Sequence, residues 1–282
     1  MKVGFLGPEA SFTHNATKTA FPDEELVSYH SIPACIKGVE FGEVDLGVVP
    51  IENTIEGSVN TTVDYLFHQT TIPVGAEIVL PIYQQLMVAR SNKDSWQDAT
   101  KILSHPQALA QSQEFIRNEF PMAELEATPS TAYAANYVAS HPDQKIAAIA
   151  PKLSAEMYDL AIVGTDIQDV AINQTRFWVI GAEKIELPIG SNEEKLTIAL
   201  TMPNNIPGAL HKALAVFSWR EIDLSKIESR PLKTTLGEYF FLIDINVQKP
   251  QQLIENALEE IRLMGGKVKI FGNYAIHPIN GV

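Results

Sequence analysis

The stretch Lys101–Phe120, KILSHPQALAQSQEFIRNEF, joins a short apolar run to a long amphipathic one. The apolar run is typical of a buried strand, and the remainder predicts a helix. This strand-to-helix order recurs along the first two thirds of the chain, and such alternation predicts a largely parallel α/β sheet. The other pairs are KVGFLG with a helix that begins near Ser11 or Thr13, DLGVVP with GSVNTTVDYLF, ELEATPS with TAYAANYVASH, and KIAAIAP with KLSAEMYDL.

Two interruptions of this pattern predict the domain organisation. The segment AEIVLPIYQQLMVA reads as extended structure and marks a second lobe over residues 76–160, after which the chain is expected to return to the first lobe near Ile162. The segment KIELPIGSNEE is rich in Pro, Gly, Ser and Asn and predicts a linker. We therefore expect a domain of two α/β lobes over residues 1–182, built on the plan of periplasmic binding proteins, a linker over 183–193, and a second domain over 194–282.

The second domain shows the order βαββαβ. Its strands are KLTIALTM, LSKIESRP, EYFFLIDINV and KVKIFGNYAI, and its helices are PGALHKALAVFSWR and PQQLIENALEEIRLM. This order predicts a ferredoxin-like fold. Asn205 is the expected N-cap of the first helix, with Pro207 in its first turn, and Gly265 and Gly266 are expected to end the second helix.

Composition limits the classes of partner. The 282 residues carry a net charge of −13, which disfavours binding to nucleic acid and to anionic membranes. An anion would therefore have to be bound by local donors. The single cysteine, Cys35, excludes an internal disulfide and fits a reducing compartment. The N-terminal apolar run is too short for a signal peptide, and no segment is long enough to span a membrane, so we expect a cytoplasmic protein.

Small polar residues follow several predicted strands, where ligands bind in open α/β sheets. Hydroxyls, backbone N–H groups and helix dipoles would converge there on one crevice that suits an anion. Simpler interpretations remain open. Ser130 and Thr131 can be plain helix caps, and His105 can be a solvated helix start. Glu52 can be a partner of a loop N–H, and Asn173 can be a turn residue. The loops are GPEASFTH, PIENTIEGS, SHPQ and PSTA, and NQTRFWVIG (Asn173–Gly181) places Thr175 and Arg176 at the mouth of a further strand.

Other kinds of site find no support in the sequence. The phosphate-binding patterns GxxxxGK[ST] and GxGxxG do not occur, and the seven histidines show no zinc-site spacing. Cys35 lies in an amphipathic segment, IPACIKGVEFG, where packing is the simpler role. We therefore expect neither a cofactor nor a metal.

The motifs GPEASFTH, PIENTIEGS, SHPQALAQ and NQTRF resemble those of prephenate dehydratases in order and spacing. The tail looks like an ACT domain, since NNIPGALH and ESRP match that family's phenylalanine-binding motifs. One departure is Ala10, which stands where the family often has glycine. Because no chorismate mutase-like domain precedes the first lobe, the resemblance is to the monofunctional type.

This resemblance implies an enzyme that converts prephenate to phenylpyruvate, carbon dioxide and water, with L-phenylalanine as allosteric inhibitor. It assigns the catalytic role to Thr175, and it implies a homodimer or homotetramer through paired ACT domains. Residues implied to bind substrate are Arg176, Phe177, Asn173, Ser11, Thr13, Glu52, Asn53, Ser58, Ser104, Gln107 and Thr131. Residues implied to bind phenylalanine are Asn205, Pro207, Gly208, Ala209, Leu210, Glu228, Ser229, Arg230 and Pro231.

Four alternatives stay open at this point. Arogenate differs from prephenate by an amino group in place of the keto group and is the other candidate substrate. A periplasmic solute-binding protein shares the two-lobed plan but would need an export signal, and a ligand-sensing regulator would need a further DNA- or partner-binding module. Arg176 could also pair with an acidic neighbour rather than with substrate.

Overall fold

A computed structural model describes residues 1–191, 193–203, 207–234 and 237–279. Its internal contacts divide the described residues into two compact units. Unit 1 comprises Met1–Val59, Val79–Phe177 and Ile279, and unit 2 comprises Asn60–Ile78 and Trp178–Pro278. The predicted boundaries at 182 and 194 remain predictions.

The first part of the chain alternates strands and helices, as the sequence pattern indicates. A kinked 3-10 segment, Arg90–Asp98, follows β6. The elements are β1 (Lys2–Leu6), α1 (Phe12–Ala20), β2 (Glu25–Tyr29), α2 (Ile32–Glu40), β3 (Leu46–Asn53), β4 (Gly57–Ser58), α3 (Asn60–His68), β5 (Val74–Pro81), β6 (Gln85–Ala89), β7 (Lys101–Ser104), α4 (Pro106–Ala110), α5 (Gln113–Glu119), β8 (Glu124–Ala127), α6 (Thr131–Ser140), β9 (Ile146–Ala150), α7 (Lys152–Tyr158), β10 (Leu160–Gly164) and β11 (Gln174–Ile180).

Unit 1 contains two sheets. In the first, the strand order is β11-β3-β1-β2, with β4 beside β3, and β1 runs parallel to both of its neighbours. In the second, the order is β10-β6-β9-β7-β8, where β7 is parallel to β8 and β9 while β6 is antiparallel to β9 and β10. The predicted mixed α/β class is confirmed. Because β10 pairs with β6, the chain leaves the second sheet only after Gly164, slightly later than expected.

Serine caps fix where several helices of unit 1 begin. The hydroxyl oxygens of Ser11, Ser31 and Ser130 accept backbone N–H groups three residues further on, at 3.2, 3.3 and 3.0 Å. Each cap satisfies a donor that has no partner within the helix. The predicted start of α1 near Ser11 is confirmed.

The single helix predicted from Pro106 to Phe120 is wrong, because the chain breaks after Ala110 into α4 and α5. The break is fixed from a distant loop. The carboxylate of Asp169 accepts the backbone N–H groups of Gln113 and Glu114, each at 3.0 Å, and so caps α5. The backbone N–H of Asp169 in turn donates to the carbonyl of Gln111 at 2.6 Å.

The C-terminal part has the predicted βαββαβ order. In unit 2 its strands form an antiparallel arrangement in the order β13-β14-β12-β15, with β5 beside β15. The core includes Ile198, Phe217, Ile243 and Ile261, and full burial of such side chains contributes about 1.5–3 kcal/mol each. The elements are β12 (Glu193–Thr201), α8 (Ala209–Ser218), β13 (Leu224–Pro231), β14 (Tyr239–Asn246), α9 (Gln251–Leu263) and β15 (Lys267–Pro278).

The helix ends of this part differ in how well they were predicted. Gly265, with φ of +86°, follows the last turn of α9, as the predicted glycine C-cap requires. Helix α8 begins two residues later than predicted, at Ala209, with Gly208 rather than Asn205 as its N-cap. Asn205 itself lies outside the described residues.

Candidate active site

The polar loops of unit 1 meet around a cavity of about 370 Å³. Leu6 at the end of β1, Asn53 at the end of β3, His105 after β7 and the starts of α1 and α6 contribute to its wall, in line with ligand sites beyond the carboxyl ends of strands. Helix N-termini present free backbone N–H groups and a positive dipole end, which favour anions. The predicted site residues that line it are Ser11, Thr13, Asn53, Ser58, Gln107, Thr131, Asn173 and Thr175.

Asn53 organises the centre of this wall. Its Nδ2 donates to Thr175 Oγ1 at 2.9 Å and to Asn173 Oδ1 at 2.8 Å. Its Oδ1 accepts the backbone N–H groups of Ile55 and Glu56, at 3.0 and 3.1 Å, which fixes the amide orientation. Because the Thr175 oxygen accepts a hydrogen bond, its own O–H becomes a stronger donor toward the cavity.

Gln111 extends the same network and was missed by the sequence analysis. Asn173 is buried, and its Nδ2 donates to Gln111 Oε1 at 3.2 Å. Gln111 Nε2 is also buried and donates to no atom of the described residues, although Gln111 lines the cavity. The residue lies within the motif SHPQALAQ, but a continuous helix gave no reason to single it out. A buried amide donor at the cavity wall is suited to a ligand oxygen.

Arg176 does not line the cavity, although its neighbour Thr175 does. Side chains of successive strand residues point to opposite faces, so Arg176 and Thr175 leave β11 in different directions. Arg176 Nη1 instead lies 2.5 Å from Glu52 Oε2, with side-chain exposures of 17% and 25%. The pairing of Arg176 with an acidic neighbour, left open by the sequence, is present in the structure.

Two further predicted site residues are packed inside the protein. Ser104 is fully buried, and its hydroxyl donates to the carbonyl oxygen of Ile149 at 2.6 Å. Phe177 is 1% exposed. In this arrangement neither residue lines the cavity.

Two residues of the cavity wall act in helix caps. Ser130 caps α6, as one of the open alternatives proposed. His105 Nδ1 accepts the backbone N–H of Gln107 at 3.4 Å. Both also line the cavity, so a capping role and a place in the site coexist.

Cysteine and metal chemistry find no geometric support in the part of the chain that is described. Cys35 is fully buried in α2, and burial raises the pKa of its thiol to about 12, against a smaller opposite effect of a backbone hydrogen bond from Val48. Among the described residues, no cluster of three His, Cys, Asp or Glu could hold a metal ion. Within the same ranges, no helix is both apolar and long enough to cross a membrane.

The residues implied to bind phenylalanine lie in unit 2, except Asn205, which falls outside the described residues. Pro207 and Gly208 precede α8, Ala209 and Leu210 open it, and Glu228–Pro231 end β13. Gly208 has a φ of +82°, and a β-carbon built on it would meet nothing within 4 Å. Arg230, by contrast, is 9% exposed and engages helix α3.

Comparisons with known proteins place these features in context. Residues 3–185 match the sequence model of the prephenate dehydratase family. A prephenate dehydratase of Lactococcus lactis (strain IL1403) is 49% identical over 99% of this chain and 99% of its own length, and one of Bacillus subtilis (strain 168) is 44% identical over 99% and 100%. The crystal structure of an Arthrobacter aurescens prephenate dehydratase in complex with L-Phe superposes with a TM-score of 0.85 and 29% identity, covering 98% of this chain and 90% of that one.

Proposed function

This chain belongs to the prephenate dehydratase family, and we propose that it carries out the family reaction in the cavity around Thr175. The enzyme is a decarboxylating hydro-lyase that converts prephenate to phenylpyruvate, carbon dioxide and water in phenylalanine biosynthesis. The observation that carries the assignment of the site is the hydrogen bond from Asn53 Nδ2 to Thr175 Oγ1.

The chemistry requires help for a departing hydroxyl more than a strong acid. As the ring carboxylate leaves as carbon dioxide, its bonding electrons complete the aromatic ring and expel the ring hydroxyl, which becomes water with a proton supplied ultimately by solvent. Thr175 donates a hydrogen bond that strengthens as negative charge builds on the leaving oxygen. Asn53 supports this by donating to the Thr175 oxygen, which polarises the O–H bond.

The substrate is a dianion, whereas the protein is strongly acidic, so binding rests on local donors. The N-terminal turns of α1 and α6 supply backbone N–H groups beside Ser11, Thr13 and Thr131. Gln111 Nε2 adds a buried donor. Together these groups can hold carboxylate oxygens without a lysine cluster.

Arg176 retains a proposed role as the nearby cation for a substrate carboxylate. A guanidinium can bind a carboxylate bidentately, and this role requires Arg176 to turn from Glu52 toward the cavity when the substrate binds. Asn173, Ser58 and Gln107 line the cavity, and Glu52, Ser104 and Phe177 complete the proposed binding region.

The decisive assay follows phenylpyruvate formation from prephenate, with arogenate tested in parallel under the same conditions. We expect Thr175→Ala to lower kcat about 10²-fold or more, the usual loss of one transition-state donor, and Thr175→Ser to keep part of the activity. Circular dichroism and thermal unfolding establish that both variants fold. An alanine variant with normal kcat would remove Thr175 from the mechanism, and turnover of arogenate alone would replace the substrate.

Regulation by L-phenylalanine through the C-terminal βαββαβ domain is the second part of the proposal. The L-Phe complex of the Arthrobacter relative supports it, as do the NNIPGALH and ESRP motifs. Gly208 opens α8 in a left-handed conformation with free space around its α-carbon, so a ligand can approach the backbone there closely. Inhibition requires that phenylalanine favour the less active state of a homodimer or homotetramer formed through ACT domains. We propose a cytoplasmic location on the basis of this biosynthetic role and the single cysteine.

A matched pair of glycine variants tests this regulation. Gly208 and Gly42 both have positive φ, +82° and +71°, and both face open space, so valine strains the backbone alike at either position. Gly208→Val is expected to abolish both inhibition and thermal stabilisation by millimolar phenylalanine, whereas Gly42→Val keeps both. A Gly208→Val enzyme that remains fully sensitive would refute the assigned site.

A further inference from the structure

The loop that leads from β1 into α1 is held at Ala10 from two sides. The backbone N–H of Ala10 donates to His14 Nδ1 at 2.9 Å, and its carbonyl oxygen accepts the hydroxyl of Ser154 at 2.9 Å. Ala10 is fully buried and has a φ of +62°, a conformation that costs an L-residue about 1–2 kcal/mol. Such a peptide keeps this conformation only if its surroundings hold it there.

His14 is itself fixed in position. Its ring stacks on Phe5, with ring centres 4.6 Å apart and an angle of 11° between the planes. Its backbone N–H donates to Ser11 Oγ, and its side chain is 8% exposed. Because a backbone N–H is always a donor, Nδ1 of His14 must carry a lone pair, and the neutral ring holds its proton on Nε2.

We propose that His14 is a positioning residue of the active site. With Ser154 it fixes the peptide of Ala10 and thereby aims the next residues, Ser11 to Thr13, into the cavity. This inference rests on the proposed assignment of that cavity as the active site. It also predicts a sensitivity to acid, because a proton on Nδ1 would place an N–H group against the N–H of Ala10 and loosen the loop.

The surroundings of His14 agree with a neutral ring. Burial lowers the pKa of His14 below its ordinary value, the negative charge of Glu9 opposes this shift, and the positive charge of Lys18 adds to it. Phe5 on β1 is apolar. On helix α7, Ser154 is uncharged and Tyr158 has a pKa raised by burial, so both are neutral at ordinary pH. The net effect lowers the pKa of His14 and so favours the neutral ring, whose Nδ1 is an acceptor.

Two substitutions separate the acceptor from the ring. In His14→Asn, the amide oxygen Oδ1 is attached to Cγ, as Nδ1 is in histidine. It can therefore accept the backbone N–H of Ala10, but it does not titrate. His14→Phe keeps the stacking on Phe5 and removes the acceptor. At pH 8 we expect His14→Phe to lower kcat/KM about tenfold or more, because groups that contact substrate are then misplaced. We expect kcat/KM of His14→Asn to stay closer to that of the wild type.

The pH profile provides the readout that a merely structural role would not change. Between pH 8 and 5, with the uncatalysed rate subtracted at each pH, kcat/KM of the wild type is expected to fall in acid, and His14→Asn is expected to lose that fall. Ser154→Ala is the matched control: it releases the other side of Ala10 and lowers kcat/KM, but keeps the fall in acid.

Several results would overturn the proposal. A folded His14→Phe enzyme with wild-type kcat/KM at pH 8 would do so, and so would a fall in acid that His14→Asn leaves unchanged. If His14→Phe does not fold, the profile of His14→Asn decides alone. Thr175→Ala is measured alongside: normal turnover in that variant refutes the cavity itself, whereas an inactive Thr175→Ala with a normal His14→Phe refutes only the role of His14.

Discussion

Arg230 Nη2 lies 2.7 Å from Asp64 Oδ1, which joins strand β13 to helix α3 within unit 2. Arg230 Nη1 also donates to Asn60 on the same helix, and the side chains of Arg230 and Asp64 are 11% and 16% exposed. Burial by itself would raise the pKa of Asp64, but hydrogen bonds and charges from Lys233 and Arg230 outweigh it, so that the pKa is lowered. The arginine of the ESRP motif is thus engaged within the protein.

Removing this arginine is expected to destabilise the fold. Among the described residues, Arg230→Met leaves Asp64 paired with the more exposed Lys233, and we expect the free energy of unfolding, measured in urea, to fall by about 3 kcal/mol. The double variant Asp64→Leu with Arg230→Met should recover part of this loss. Arg220→Met is the control, since its pair with Glu260 is more exposed and costs less. Unchanged stability of Arg230→Met without phenylalanine would indicate that Arg230 serves a ligand instead.

Asn53 and Thr175 are expected to act as one unit. Asn53→Ala removes the donor to the Thr175 oxygen, so kcat should fall about 10- to 100-fold with a smaller change in KM. In a Thr175→Ala background the same substitution should cost little more. A double-mutant cycle on kcat measures this coupling. If the loss in kcat of the double variant equals the product of the two single losses, Asn53 contributes to catalysis independently of Thr175.

Arg176→Lys tests whether this cation meets the substrate. An ammonium cannot replace the planar fork of a guanidinium, so we expect KM for prephenate to rise about tenfold while kcat changes less. Arg90→Lys is the control, because its ion pair with Asp159 is exposed and Arg90 does not line the cavity. A normal KM combined with a lowered melting temperature would instead assign Arg176 to the pair with Glu52.

Protonation of His68 is expected to weaken unit 2 in mild acid. Burial lowers the pKa of His68, and the positive charges of Lys233 and Lys269 add to this effect against Asp64 and a backbone hydrogen bond to Pro231. The unfolded chain therefore takes up the proton first, so stability falls as pH drops below about 6.5 and continues to fall until the lower pKa of the folded state is reached.

His68→Gln should flatten this dependence, which urea unfolding at pH 5, 6 and 8 can measure. At pH 8, where the ring is neutral in both states, the titration contributes nothing, and the two proteins should differ only by changed packing against Phe67 and Phe240 and a changed hydrogen bond to Pro231. Parallel pH curves for wild type and variant would contradict the prediction.

The sequence by itself determined the features that depend on neighbouring residues. The sequence placed the start of α1 near Ser11 or Thr13, offered Ser130 or Thr131 as a cap of α6, and placed the end of α9 at Gly265 and Gly266, because helix ends are set by hydrogen bonds and dihedral angles within a few residues. The βαββαβ order and the polar loops around the cavity follow from the same local periodicity. Strand β2 was not predicted, because its partly exposed residues give a weak pattern.

Only the tertiary structure decided the contacts between distant segments. Asp169 caps α5 from far along the chain, and the break this creates puts Gln111 at the cavity. Asn53 reaches Thr175 across 122 residues, and Arg230 reaches Asp64 across 166. A side chain such as that of Arg176 or Arg230 can satisfy its donors with a ligand or with a carboxylate, and its own sequence neighbourhood is the same in both cases. Packing of the folded chain brings one of these partners within hydrogen-bond distance of the arginine. Because the pair is then buried, removing one partner leaves an unpaired buried charge and costs free energy.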